Sequence, residues 1–131
     1  MILVIGSHAV NFRQYIRESN DLDLIGNTDE IINYIKSLGN IKTIYPGFNG
    51  DKLIIEYVKF NDNKISFCEA NFLINTNKNL FESVQKDKNT IIVNNLIYPS
   101  LNVLYMLKMS HRFKKNSTHF LKTMDDIIKL K

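Results

Sequence analysis

Two carboxylates separated by one residue, Asp21 and Asp23, are the side chains of this sequence best suited to chemistry. They lie in the run Asp21-Leu22-Asp23-Leu24, whose alternation is typical of a β-strand. Side chains alternate between the faces of a strand, so both carboxylates point the same way. Two like charges on one face repel each other unless a cation lies between them. The pattern therefore predicts a divalent cation site, with Mg²⁺ or Mn²⁺ as the expected ion where phosphates are the substrate.

A glycine and a serine, Gly6-Ser7, precede this run and follow an apolar segment over residues 1–5. The apolar segment predicts a buried strand, and residues 8–18 predict a helix with Ser7 as its N-cap. Backbone N–H groups at the start of a helix bind phosphate oxygens. Gly6 and Ser7 are therefore predicted to bind a phosphate beside the carboxylates.

The ordered pair of motifs, Gly6-Ser7 and then Asp21-Leu22-Asp23-Leu24, resembles the signature of the nucleotidyltransferase superfamily. That superfamily includes the DNA polymerase β-type and the minimal nucleotidyltransferases. Its members carry Gly-Ser or Gly-Gly, a helix, two alternating aspartates, and a third carboxylate on a later strand. The gap between Ser7 and Asp21 is a few residues longer than in the smallest members. The resemblance implies that Asp21 and Asp23 are catalytic metal ligands.

The third carboxylate has two candidates in a hairpin predicted over residues 52–69. Glu69 continues the face of Ile65 and Phe67 and ends the second strand, whereas Glu56 is in the middle of the first strand and is expected to point inward. The resemblance favours Glu69, because the superfamily carries its third carboxylate at a strand end beside the first two. Most members have Asp there. Glu69 is thus expected to bind metal, to accept a proton, or both, and its alternative is a solvated strand-end charge.

A basic residue interrupts an apolar helix predicted over residues 99–112. Lys108 follows Leu104 by one turn, and Arg112 follows Lys108 by one turn. Buried lysines are scarce unless they are paired. The resemblance implies that Lys108 and Arg112 contact the triphosphate, and the alternative is a lysine whose stem covers Leu104 while its ammonium reaches solvent. The basic helices of this C-terminal part also resemble those of small viral and phage members of the nucleotidyltransferase superfamily.

Composition limits the remaining possibilities. The chain has 131 residues, 44% of them hydrophobic, and a net charge of +4, which suits one globular domain with anionic partners. A single cysteine, Cys68, excludes an intrachain disulfide and predicts a reducing, cytoplasmic location. No apolar run approaches the length that spans a membrane, and no targeting segment is expected.

The periodicities predict an α/β (α+β) fold in one domain over residues 1–131. A small mixed sheet flanked by helices is expected over residues 1–95, and a pair of helices over residues 99–131. The predicted strands and helices are as follows: strands 1–5, 21–25, 41–45, 52–60, 64–69 and 90–93, and helices 8–18, 28–38, 80–86, 99–112 and 117–129.

The resemblance implies a metal-dependent nucleotidyltransferase that moves a nucleoside monophosphate from a nucleoside triphosphate, such as ATP, to a hydroxyl acceptor. The acceptor is left open among RNA, a protein and a small molecule, and a homodimer is possible at this length. A catalytically inactive binding or regulatory module with the same fold is the alternative. A small basic RNA-binding protein is a third hypothesis, which the lack of interleaved aromatic residues in the late basic cluster disfavours.

Overall fold

The computed structural model describes residues 1–15, 21–47, 52–73 and 75–110, with side chains for all of these except 75–77 and 108–110. This part of the chain forms one mixed sheet of seven strands flanked by four helices. The strands are β1 Ile2–Ile5, β2 Asp21–Gly26, β3 Gly39–Pro46, β4 Lys52–Lys59, β5 Ile65–Phe72, β6 Ile91–Val93 and β7 Leu96–Tyr98. The helices are α1 Gly6–Arg13, α2 Thr28–Leu38, α3 Asn75–Lys86 and α4 Leu101–Ser110.

The strand order in the sheet is β3-β4-β5-β2-β1-β7-β6. At its centre, β2 pairs with β1 in the antiparallel sense and with β5 in the parallel sense. On the other side of β1, β7 runs parallel to it. The predicted fold class, a mixed sheet flanked by helices, is therefore confirmed.

The larger hydrophobic core covers one face of this sheet. Leu22 and Leu24 of β2 are buried there beside Ile55 of β4, under residues of α1, α2 and α4 such as Ile35 and Leu104. A smaller cluster contains Leu3, Ile25, Val84 and Ile97, and brings α3 against β1, β2 and β7. Because Leu22 and Leu24 alternate with Asp21 and Asp23, the core fixes which face of β2 carries the carboxylates.

Helix α2 and the hairpin of β4 and β5 are present as predicted, except that β5 continues to Phe72. The prediction that Glu69 ends this strand is therefore wrong. Helix α2 spans Thr28–Leu38 as predicted. Its N-cap is Asn27 and not Thr28 as the sequence predicts, because the Asn27 side chain accepts a hydrogen bond from the Asp29 N–H at 2.9 Å. Strands β4 and β5 pair in the antiparallel sense. The hairpin that carries both candidates for the third carboxylate is therefore present.

The start of α1 differs from the prediction. The helix begins at Gly6, with Ile5 as its N-cap and no side-chain cap, so Ser7 is inside the first turn. It ends at Arg13, and residues 16–18 of the predicted helix lie outside the described residues. The prediction that Ser7 is the N-cap is wrong because Gly6 has a φ of 70° and turns the chain one residue earlier.

The predicted C-terminal part is only partly described. Helix α3 starts at Asn75, five residues before the expected start, and the sequence analysis missed β7, which pairs with β6 across Asn94 and Asn95. Helix α4 begins at Leu101, after Ser100 caps it by accepting the Val103 N–H at 3.3 Å. The second predicted helix, 117–129, lies outside the described residues, so the helical pair stays a prediction.

No helix in the described part of the chain is long and apolar enough to cross a membrane.

The inward assignment of Glu56 was wrong. In β4 the buried side chains are Ile55 and Tyr57, so Glu56 is on the opposite face and is half-buried. In β5, likewise, Cys68 is buried and Phe67 is exposed. Both strands have apolar residues on both faces, and alternation alone does not say which face other elements cover.

Replacing Asn27 with alanine tests the capping of α2. Loss of the bond to the Asp29 N–H should lower the free energy of unfolding by about 1 kcal/mol in urea denaturation. Thr28→Ala is the matched control and should have a smaller effect, because Thr28 is already inside the helix. A larger loss in Thr28→Ala than in Asn27→Ala would contradict this assignment.

Candidate functional site

The candidate site is built around the junction between β1 and α1. Strand β1 ends at Ile5, which pairs with Asp23 of β2, and the next residue, Gly6, begins the helix. A Cβ placed on Gly6 would lie 2.5 Å from Asp23 Oδ2. A side chain at residue 6 is therefore excluded twice, by the carboxylate and by the positive φ. The start of α1 thus lies against the Asp23 carboxylate, where the positive end of the helix dipole stabilises negative charge.

Glu69 is placed beside the aspartates by the pairing of β2 with β5. Its direct partner in the parallel register is Asp23, and Asp21 pairs with Phe67. Residues paired directly across neighbouring strands have their side chains on the same face. The two aspartates and Glu69 therefore share one face of the sheet, opposite the larger core.

Glu56, the other candidate, lies one strand further from β2. It pairs with Phe67 of β5, so β5 lies between Glu56 and Asp21. Neighbouring strands are about 4.8 Å apart, which puts the backbone of Glu56 at roughly twice that spacing from β2. The Tyr45 hydroxyl donates to Glu56 Oε1 at 3.3 Å. Of the two candidates, Glu69 is thus the one that the sheet brings next to Asp23.

A lysine that the sequence analysis missed lies beside Glu69. Lys52 Nζ is 2.8 Å from Glu69 Oε1, and both side chains are partly buried. Lys52 pairs with Asn71, two residues after Glu69, which places the charges diagonally across the hairpin. The predicted hairpin register could have revealed this opposite-charge pair. The ion pair supplies a positive charge to a face that otherwise gathers carboxylates.

The donor set of this face suits a hard cation, since carboxylate oxygens are the ligands that Mg²⁺ and Mn²⁺ prefer. Nevertheless, among the described residues no three His, Cys, Asp or Glu side chains are close enough together to hold a metal ion. Glu69 instead bonds to Lys52. The donor chemistry and the strand register therefore fit a metal site, while the carboxylates do not converge in this structure.

His8, in the first turn of α1, is a second residue that the sequence analysis missed. It is half-buried, and this burial lowers its pKa from the ordinary value of 6.5. The positive charge of Lys59 lowers that pKa further, whereas the negative charge of Asp21 raises it. The sequence feature that could have identified His8 as a site residue is its position directly after the Gly6-Ser7 pair. His8 is thus an imidazole within electrostatic reach of a predicted metal ligand.

The predicted phosphate-binding residues are only partly placed. Ser7 is buried in the first turn of α1, beside Gly6. Lys108 falls within α4, which packs against α1, but its side chain lies outside the described part of the chain. Arg112 lies outside the described residues altogether. The contacts of these two cations with a triphosphate stay predictions.

Cys68 does not act as a nucleophile in this arrangement. Burial raises the pKa of its thiol to about 12, and the negative charges of Asp23 and Glu69 act in the same direction. The thiol is therefore neutral at physiological pH and serves as a small core side chain.

The sequence matches, over residues 2–124, the model of a family described as a domain of unknown function, DUF7277. The chain belongs to this family. Among curated protein sequences, none matches it significantly.

Two solved structures resemble the fold of this DUF7277 chain. JHP933 from Helicobacter pylori is 13% identical with a TM-score of 0.61, and the match covers 96% of this chain and 56% of JHP933. A protein provisionally named a nucleotidyltransferase, also from H. pylori, is 12% identical with a TM-score of 0.62, over 95% of this chain and 57% of the other. The DUF7277 chain thus spans a little over half the length of both, and at these identities the likeness shows a nucleotidyltransferase-like fold alone.

The electrostatic surroundings of His8 can be tested by titration. Its pKa should lie below 6.5, Asp21→Asn should lower it further, and Lys59→Met should raise it. Because the pKa is lower in the folded state, the stability contributed by neutral His8 is present above pH 6.5 and is lost as the pH falls towards the folded-state pKa. The ring Cε1–Hε1 signal in NMR measures each value, and a pKa above 6.5 in the unmodified chain would contradict the prediction.

Proposed function

We propose that the DUF7277 chain is a metal-dependent nucleotidyltransferase, which transfers a nucleoside monophosphate from a nucleoside triphosphate to a hydroxyl acceptor. One observation carries the proposal: Gly6 begins α1 against the Asp23 carboxylate, while Glu69 pairs with Asp23 on the neighbouring strand. This is the arrangement that the resemblance to nucleotidyltransferases implies. The fold of the H. pylori neighbours supports the proposal at the level of architecture.

In this proposal Asp21 and Asp23 hold Mg²⁺ or Mn²⁺, and Glu69 completes the metal shell or accepts a proton. When bound, the ion would neutralise phosphate charge and polarise the phosphoryl group that is transferred. Lys52 bonds to Glu69 in the structure, so the ammonium must release that carboxylate before Glu69 takes either role.

The remaining residues would bind and orient the nucleotide. The N–H groups in the first turn of α1, at Gly6 and Ser7, would hold a phosphate oxygen, and the Ser7 hydroxyl would add a hydrogen bond. Lys108 and Arg112 would stabilise charge on the leaving pyrophosphate. Positioning and electrostatic stabilisation would then supply most of the rate acceleration.

The reaction itself is an in-line displacement at the α-phosphorus. The acceptor oxygen forms a bond to phosphorus, the bond from phosphorus to the β-phosphate oxygen breaks, and pyrophosphate leaves with that electron pair. The proton of the acceptor hydroxyl passes to the Glu69 carboxylate where Glu69 acts as the base, and to water where Glu69 completes the metal shell. The choice of nucleoside triphosphate, a homodimer, the cytoplasmic location and the viral or phage origin stay predictions.

A binding or regulatory module without catalysis is the second candidate. The Lys52–Glu69 ion pair favours it, because the negative charge of Glu69 is already balanced by an ammonium 2.8 Å away. Pyrophosphate release separates the two candidates, since only the first one breaks a phosphoanhydride bond.

Metal binding by the two aspartates can be measured by isothermal titration of Mn²⁺ in the presence of a nucleoside triphosphate. Asp21→Asn should abolish the protein-dependent heat, because Asp23 is a weak ligand for a hard cation when its only carboxylate neighbour in the described part of the sheet, Glu69, is paired with Lys52. Glu82→Gln, on the exposed side of α3, is the matched control and should bind normally. Unchanged binding in the double variant Asp21→Asn/Asp23→Asn would contradict the metal assignment.

The choice of Glu69 over Glu56 can be tested by pyrophosphate release with cell extract as the source of acceptor. Glu69→Gln should lower the rate by about a hundredfold or more, because general-base catalysis contributes at least that factor. Glu56→Gln should keep the rate. Thermal melting by circular dichroism checks that both variants fold. An inactive Glu56→Gln together with an active Glu69→Gln would show that the third carboxylate is on β4.

A further inference from the structure

An open cavity of about 490 Å³, with both polar and apolar lining residues, lies on the other side of β1 from the carboxylates. The polar residues that line it are Arg13, Lys88, Asn89, Thr90, Ser100 and Asn102. None of the proposed metal ligands contributes to this lining. The cavity is therefore separate from the proposed metal site.

The cavity nevertheless opens at the same end of the sheet as that site. Strand β7 runs parallel to β1 and ends at Tyr98, as β1 ends at Ile5. Helices α1 and α4 both begin at this end, after Ile5 and after Ser100. Strands β1 and β7 lie between β2 and β6, and Ile91 of β6 lines the cavity. The strand that carries the two aspartates is therefore three strand spacings, roughly 14 Å, from the cavity.

The cavity carries positive charge that its protein partners do not neutralise. Arg13 Nη2 donates to the carbonyl oxygens of Asn89 at 2.6 Å and Tyr98 at 2.8 Å, both of which are neutral acceptors. Arg13 Nε is buried and has no hydrogen-bond partner in the described part of the chain. Lys88, which is exposed, adds a second cation. The two bonds thus fix the guanidinium in place while its charge remains available to an anion.

One acidic residue, Asp87, bonds to the cavity lining without being part of it. Asp87 accepts hydrogen bonds from the Ser100 hydroxyl at 3.1 Å and from the Asn89 N–H at 2.9 Å. Within the described residues, no carboxylate is part of the cavity lining. An anion of phosphate size would therefore meet Arg13, Lys88 and neutral groups, while the negative charge of Asp87 behind the lining offsets one of the two cations.

An aromatic surface adjoins this cationic cavity. The rings of Phe12 and Tyr98 stack with centroids 3.9 Å apart and planes within 14°, and Tyr98 also supplies a carbonyl to Arg13. Phe12 remains 47% exposed. Nucleobases stack on exposed aromatic rings with little dependence on the base. Phosphate-binding and base-stacking groups are thus adjacent at this end of the sheet.

We propose that this cavity binds a phosphate group of the acceptor, and that Phe12 stacks on the acceptor base. The acceptor is then a nucleotide, either free or as part of a single strand. This inference rests on the proposed function, because it places the acceptor on the opposite side of β1 from Asp21 and Asp23, which would hold the metal.

Binding can be followed by ¹H–¹⁵N NMR without metal or nucleoside triphosphate, with inorganic phosphate, AMP and a hexamer of adenylate RNA as probes. The amide signals of Asn89, Thr90 and Asn102 should shift with all three probes. Lys88→Gln should weaken phosphate binding by about tenfold, whereas Lys86→Gln, at the end of α3, is the matched control and should bind normally. Equal affinities in Lys88→Gln and the unmodified chain would overturn the proposal.

The stacking of Phe12 on the acceptor base is tested by a separate variant. Phe12→Leu should remove the tighter binding of AMP relative to inorganic phosphate and leave phosphate affinity unchanged. Equal affinities of the chain for AMP and for the hexamer would support a free nucleotide as the acceptor. A higher affinity for the hexamer would support a single strand as the acceptor. AMP and the hexamer binding no better than inorganic phosphate would overturn the nucleotide assignment.

Failure of this inference is distinguishable from failure of the proposed function. The double variant Asp21→Asn/Asp23→Asn should lose Mn²⁺ binding and keep the phosphate-induced shifts around the cavity. Pyrophosphate release together with an unresponsive cavity would overturn the inference alone. A phosphate-binding cavity in a chain that never releases pyrophosphate would instead overturn the acceptor role together with the transferase proposal.

Discussion

The contact between Gly6 and the Asp23 carboxylate is the constraint on which the rest of the candidate site depends. A side chain at residue 6 would overlap Asp23 Oδ2, so the chain can enter α1 directly from β1 only with glycine there. This short connection holds the first turn of α1 against β2. The N–H groups in the first turn of α1 and a carboxylate thereby come together without any intervening loop.

Charged side chains from several strands and helices meet at the end of the sheet where β1 leads into α1. Lys52 of β4 bonds to Glu69, and Lys59, also of β4, acts with Asp21 on His8 of α1. On the other side of β1, Arg13 is held by two carbonyl oxygens and keeps its charge. Carboxylates accompanied by lysines thus lie on one side of β1, whereas Arg13 and Lys88 lie on the other side, beside Asp87.

Local sequence patterns were sufficient for the elements whose signals are local. The alternation of Asp21 and Asp23 with two leucines predicted β2 and the shared face of its carboxylates, because a strand has a period of two. The acidic residues of its first turn and Gly39 just past its end predicted α2 over Thr28–Leu38. The turn residues 61–63, between two runs rich in β-branched and aromatic residues, predicted the hairpin. The choice of Glu69 came from the resemblance and not from these patterns, and its catalytic role stays a prediction.

Tertiary structure decided everything that depends on which strands become neighbours. The parallel pairing of β2 with β5 places Glu69 beside Asp23 across more than forty residues of sequence, and no local pattern encodes that register. The same holds for Lys52 beside Glu69 and for the cavity formed where Arg13 meets the carbonyls of Asn89 and Tyr98. The sequence by itself determined which residues can carry charge on a given face. Only long-range strand pairing and core packing decided which face is covered and which charges meet, because these depend on burying apolar surface from distant segments together.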